Sequence, residues 1–281
     1  MLMVDSCNLT PISEFDQPGK FRRLVRFVWQ CWKLNLGGAM EFRMSFFLTA
    51  GMMIINNVVW IVFWGLYFGR FPVLNGWELQ DVMMLWAIAA GGFGVMATFF
   101  GNAMRISNLI ATGQLDIYLT QPKPVLLHVL ISRMSVSAIG DVLFALIIYV
   151  AFGDKSMIGF IKFGLAMLLS TLIFLFFTII VNCPAFWLGS SDGLSFQLYN
   201  GLLTFTTYPT SIFRGLGKVV LFTVLPAGFI SYLPIGLLRQ ADIPFISGAI
   251  AVTGLLCLGG IYLFYTGLRR YASGNMMGLR R

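Results

Sequence analysis

Few residues of this chain have the types and spacing that chemistry needs. His128 is its only histidine, and its four cysteines, Cys7, Cys31, Cys183 and Cys257, include no CxxC pair. A metal centre needs several ligands on converging elements, and a covalent catalyst needs a nucleophile beside a base. A lone histidine cannot make an HExxH motif, so an intramembrane enzyme is disfavoured and the cysteines read as small apolar packing residues. A phosphate-binding loop requires GxxxxGK[ST] after a strand, so that backbone N–H groups surround the phosphates. The nearest string, Gly215-Leu216-Gly217-Lys218 followed by Val219, lacks the spacing, the Ser/Thr and the strand. No ATPase activity of its own is therefore expected.

Two ionisable residues remain, Arg133 and Asp141, both in an apolar run. Eight residues on a helix span about 12 Å, so they cannot pair directly. A charged group at membrane depth marks either a transport path or a buried polar contact. Asp141 lies nearer the middle of the run and is open to both readings, whereas Arg133 lies close enough to one end to snorkel.

The elements that hold these residues are set by composition. The chain is 58% hydrophobic and 11% charged, with a mean hydropathy of +0.83. Soluble domains average about 25% charged residues, so the solvent for most of this surface is a bilayer. A membrane-crossing helix needs about 20 apolar residues. Six candidates emerge, at about 46–69, 82–104, 125–152, 158–188, 194–208 and 244–268. A seventh apolar stretch, Val219–Leu238, contains Pro226, Pro234, Gly228 and Gly236. Prolines at that density favour two short helices over one long one. The alternative is a kinked seventh span.

Lys and Arg set the orientation. Of the 19, twelve fall in the N-terminal segment, the 105–124 loop and the C-terminal tail, and six fall on the other side, with Arg133 between. Both termini are therefore expected in the cytoplasm, and the +8 charge reflects topology rather than nucleic-acid binding. Residues 1–19 lack the basic and apolar regions of a cleavable signal and read as a poorly ordered cytoplasmic tail. Residues 20–33, KFRRLVRFVWQCWK, place Arg22, Arg23, Arg26, Gln30 and Lys33 within an arc of about 100° opposite an aromatic-rich face. That pattern describes a helix in the headgroup plane; a soluble amphipathic helix on a partner is the alternative. Gly37-Gly38 is expected to turn the chain into the first span.

The segment ATGQLDIYLTQPKP (111–124) interrupts the apolar sequence on the cytoplasmic side. Gly113 suits a helix end. Residues 114–119 can form about one and a half helical turns, with Leu115, Tyr118 and Leu119 on one face. Asp116 sits at the helix start, where negative charge is favoured, and Pro122 and Pro124 end the unit and start the next span. The result is a short helix pinned at both ends.

GQLDIYLTQP (113–122) resembles the G-x-L-D-x-x-L-x-x-P segment of membrane subunits of ABC-2 type ABC transporters, most closely the six-span branch with little extramembrane mass. YPTSIFRGLGKVVLFTVLPAGFISYLP (208–234) resembles the YP…IF…L…VLP…FISYLP pattern of the same branch. The resemblance implies an all-α integral membrane fold of six transmembrane helices. An amphipathic interfacial helix over 20–43 would precede the transmembrane domain, 44–281, with a re-entrant hairpin between spans five and six. It implies that 105–122 couples to a separate ATPase through Thr112, Gly113, Gln114, Leu115, Asp116, Tyr118 and Leu119. It also implies an outer gate over 208–238 that includes Tyr208, Pro209, Pro226 and Pro234. The implied partners are two ABC ATPase subunits, which carry ATP and Mg, and a second copy of the chain or a related ABC-2 permease. The chain itself would bind no cofactor and would work as an exporter subunit in a bacterial inner membrane. The rival reading is an ion-gradient-driven secondary transporter. That class shows internal repeats with midplane ion sites, and no repeat is visible here.

Overall fold

The computed structural model describes residues 18–272, with side chains from Arg22 onward. Cys7, nearly all of the expected 1–19 tail and the last nine residues lie outside the described residues. Among the described residues the chain is helical, with no strand beyond one isolated bridge between Leu74 and Trp77.

Helix α1 (Pro18–Glu41) leads into α2 (Arg43–Arg70) and α3 (Leu79–Phe100). A 3-10 turn, Gly101–Arg105, links α3 to α4 (Ile106–Ala111), followed by α5 (Asp116–Leu119) and α6 (Val125–Ile131). Then come α7 (Ser137–Phe152), α8 (Met157–Asn182), α9 (Ala185–Leu188) and α10 (Asp192–Thr206). A 3-10 turn at Thr210–Ile212, α11 (Leu216–Thr223), α12 (Ala227–Ser231), a π-helical turn at Pro234–Arg239 and α13 (Ile243–Leu268) complete the chain. Four helical stretches are long and apolar enough to cross a membrane: Arg43–Arg70, Leu79–Ala111, Met157–Leu188 and Ile243–Leu268. Ser137–Phe152 is apolar but shorter.

Burial sorts these stretches into centre and flank. In the most apolar windows, 72% of the residues around α3 and 61% of those around α8 are buried, against 11% for α2 and 17% for α13. The centre is made possible by Gly91-Gly92-Gly94 on α3. A Cβ at Gly91 would meet Met167 and Ala145, one at Gly92 would meet Ser170, and one at Gly94 would meet Ala138, Asp141 and Val142. Three small positions within four residues let α7 and α8 approach the α3 backbone, the usual way that helices pack where lipid supplies no hydrophobic drive. α2 instead keeps Met52, Ile55, Val59 and Leu66 exposed, as a lipid-facing helix does.

Three expectations need correction. The third expected span, 125–152, is two helices: α6 ends at Ile131, and residues 132–136 are not helical. Polar side chains and a neighbouring helix end take over the backbone there. Ser132 Oγ donates to Val129 O at 2.8 Å, and the Ser135 N–H donates to Ala97 O on α3 at 2.9 Å. Arg133 therefore sits exposed in this break rather than inside a helix. Gly37-Gly38 does not turn the chain: α1 runs through both, and the bend falls at Phe42, with φ −102° and ψ 69°. Finally, 219–238 contains the π-helical turn as well as the two short helices.

Candidate functional site

The helices bring two sets of loops to opposite ends of the body. One end gathers α1, the 99–136 region, α9 and Tyr271. The other gathers residues 71–81, 152–162 and 208–242.

The first end is built on the polar segment. Gly113 adopts φ +73°, the left-handed conformation that lets α4 stop and the chain reverse. The Leu115 N–H then donates to Leu109 O at 3.3 Å, and the Leu115 side chain is 0% exposed. Tyr118 is half-buried. Its hydroxyl lies 3.0 Å from Ser132 Oγ and 3.4 Å from Asn102 Nδ2, and that same amide donates to Val129 O at 2.9 Å. The expected common face is therefore divided. Leu115 and Tyr118 point into the body, while Leu119 is 42% and Ile117 62% exposed. Thr112 Oγ1 donates to Asn108 O at 2.7 Å, and Gln114 is exposed.

α4 is fixed in turn. The Ser107 N–H donates to Asn182 Oδ1 at 3.1 Å, and Ser107 Oγ lies 3.1 Å from Ser191 Oγ. These contacts tie α4 to the end of α8 and the start of α10. Ser191 also belongs to Gly189-Ser190-Ser191-Asp192-Gly193, a G-x-S-x-G spacing that sequence reasoning missed. It lies between two helices rather than at a strand-to-helix turn, and its serine meets another serine, so it lacks the setting of a hydrolase nucleophile.

Rings complete this end. His128 stands between Tyr118 (5.0 Å) and Phe27 of α1 (5.2 Å), and Lys123 Nζ lies 4.9 Å from the centre of the Phe27 ring. Trp32 packs on Phe99 and donates its indole N–H to Phe99 O at 3.0 Å, while Asn35 Nδ2 donates to Ile131 O at 3.0 Å. Thus α1 docks against α3 and α6 while Arg22, Arg26 and Lys33 stay exposed. Tyr271, just beyond α13, packs edge-on against Phe186 and lies beside Gly113 and Asp116. Burial, and then Asp116, push the Tyr271 hydroxyl above the ordinary tyrosine range.

The second end is held by charge. Arg239 Nη1 lies 2.8 Å from Asp81 Oδ2, and Nη2 lies 3.1 Å from Glu78 Oε1; Nη1 also donates to Gly76 O at 3.2 Å. Asp81 Oδ2 accepts the Glu78 N–H at 2.9 Å as well, at the start of α3. Lys162 Nζ donates to Leu238 O at 3.3 Å. Asp154 accepts from Ser156 N–H and Oγ, and these bonds hold its carboxyl below the ordinary range. Pro209, Pro226 and Pro234 are buried and Tyr208 is half-buried. Pro226 precedes α12, and Pro234 opens the π-helical turn.

Asp141 belongs to neither end. It is 1% exposed, and its Oδ1 accepts from Asn57 Nδ2 of α2 at 2.6 Å. The visible signal was Asn56-Asn57 within an apolar run. Nothing in the sequence marked Arg239, Asn102 or Tyr271 as partners.

No curated protein and no solved structure matches this chain. Residues 54–274, which include α3 to α13 and most of α2, match the family model described as ABC-2 family transporter protein. A multi-pass helical chain with several helices long and apolar enough to cross a membrane agrees with that match, and the chain belongs to the ABC-2 family of transporter permeases.

Proposed function

We propose that this chain is the membrane-spanning subunit of an ATP-driven exporter. It pairs with a second copy or a related permease, and two ABC ATPase subunits dock beneath the pair. The observation that carries this reading is the divided α5: Leu115 and Tyr118 anchor it to the body, while Ile117 and Leu119 form an exposed apolar tip. A partner that grips the tip moves whatever the anchors hold. Force applied at α5 passes through Tyr118, Asn102 and Ser132 to the end of α3 and the break before α7. Through α4, Ser107 passes it to α8 and α10.

In this reading α2, α3, α6 with α7, α8, α10 and α13 are the six spans, and both termini face the cytoplasm of a bacterial cell. The 208–238 segment is a re-entrant outer gate. Its support is that α10 and α13 leave it at one end, and that Leu225 lies against Gly201 partway along α10. ATP and Mg belong to the ATPase pair. ATP binding closes that pair, pushes α4 and α5, and shifts access from the inner to the outer side. This chain supplies the path and the lever and binds no cofactor of its own.

The test is capture of the solubilised complex with Ile117→Arg and Leu119→Arg. A P-loop ATPase is expected with the parent chain, and about tenfold less with either variant, since each buries a charge in an apolar contact. Undiminished capture by both variants, or transport that survives ATP depletion and stops with a protonophore, overturns the reading.

A further inference from the structure

At the charged end, a cavity of about 340 Å³ opens between the α2–α3 loop and the 210–240 segment. It is large enough for a small ligand and well above the space of a single water. Its lining includes Lys218, Arg239, Gln240, Thr210 and Ser211, and contains no carboxylate. Arg239 is paired with Glu78 and Asp81, neither of which lines the cavity. Among the described residues Lys218 has no carboxylate partner. Ser211 Oγ is buried without a hydrogen-bond partner among the described residues. Lys218 and Ser211 thus line one concave, polar space, with the Ser211 hydroxyl just beneath its surface.

We propose that this cavity binds an oxyanion, a phosphate or phosphodiester group. The chemistry excludes the neighbouring classes. A metal cation meets the Lys218 ammonium and no acidic ligand in the lining. A neutral sugar would leave the Lys218 ammonium, which has no carboxylate partner among the described residues, without a counter-charge. A phosphate oxygen accepts from an ammonium and from hydroxyls together, and charge-assisted bonds of this kind are the strong ones. The surroundings also suit an attached chain. Leu216 and Val219, on the same short helix as Lys218, are 78% and 56% exposed. An acyl tail lying along them leaves its headgroup at Lys218. The proposal does not depend on the ATPase partnership.

The test is native mass spectrometry of the full detergent-purified chain, titrated with phosphatidylglycerol or with diacylglycerol, which has the same acyl chains and no phosphate, with and without inorganic phosphate. Phosphatidylglycerol is expected to be retained more strongly. Lys218→Gln is expected to reduce that retention about tenfold, the equivalent of one charge-assisted hydrogen bond. Ser211→Ala is expected to reduce it less. Lys155→Gln, an exposed lysine at the same end and outside the lining, is expected to leave it unchanged. Displacement by inorganic phosphate would assign the site to free oxyanions as well; resistance to displacement would assign it to the lipid headgroup. Equal retention of the two lipids, or equal losses in Lys218→Gln and Lys155→Gln, overturns the proposal. Unchanged melting temperatures in the variants separate loss of the site from loss of the fold.

Discussion

The two ends of this molecule are fastened by different physics. The α4–α5 end is held mainly by rings, hydrogen bonds between neutral groups and one fully buried leucine, with Asp116 beside Tyr271 and Lys123 over Phe27 as charged contacts. The end with the α2–α3 loop and the π-helical turn is held by Arg239 between two carboxylates. Packed apolar and neutral contacts are short-ranged and indifferent to salt, so they transmit displacement without slack. Ion pairs near water gain little net energy and can be exchanged for solvent. Under the proposed function, the first would serve as a lever and the second as a clasp.

The contrast breaks most severely at Leu115. Leu115→Asp places a charge in a site that is 0% exposed, at a cost of several kcal/mol. Export is expected to fall by at least about 100-fold while the chain still inserts, which a transport assay beside a membrane-fractionation blot reads directly. Normal export from Leu115→Asp would mean that α5 is not a rigid lever.

Asn102→Ala tests the neutral network with less violence. It removes the amide shared by Val129 O, Ser132 Oγ and Tyr118. A loss of about 1–3 kcal/mol is expected, seen as a lower melting temperature that does not change with salt. Arg239→Gln is milder, about 1 kcal/mol, because its side chain is 43% exposed and solvent replaces part of what is lost. Its effect is expected to shrink as salt is raised, and labelling of Ser211→Cys in this background is expected to speed up. Equal salt dependence in the two variants would erase the distinction between the ends.

The smallest effects sharpen the comparison through pH. Asp154 has a folded carboxyl pKa below its unfolded value. Its contribution is present above the ordinary carboxylate range and disappears as pH falls through the folded pKa. Protection of the Gly159 amide, whose N–H donates to Ser156 Oγ, is expected to fall in acid relative to its intrinsic exchange rate. Tyr271 has a raised pKa, so its contribution is complete below the unfolded tyrosine value, about 10, and is lost at higher pH. Protection of the Leu115 amide is expected to fall in alkali. Thus one end loosens at each extreme.

What the sequence made legible follows from periodicity and composition. Long apolar runs marked α2, α3, α8 and α13, because their length against bilayer thickness leaves few other uses for them. The polar insertion at 111–124 marked α5, and Gly113 marked its turn. The break at 132–136 escaped because its cause, the Ser135 N–H bonded to Ala97 O, joins residues far apart in the chain. The face of α5 was misread for a similar reason. Spacing tells which residues align, but only the body beneath α5 decides that Leu115 and Tyr118 turn inward and Leu119 does not. Arg239 was counted as a topology charge, since no local pattern points to Glu78 and Asp81, some 160 residues earlier.

The bond between Asn57 and Asp141 spans 84 residues of sequence. At a synthesis rate of about 5–20 residues per second, the ribosome needs roughly 4–17 s to deliver the aspartate after the asparagine. For those seconds the first span sits at the translocon with an amide that its final partner cannot yet reach. Until α7 is made, the packing of α2 on α7 that this bond joins cannot close.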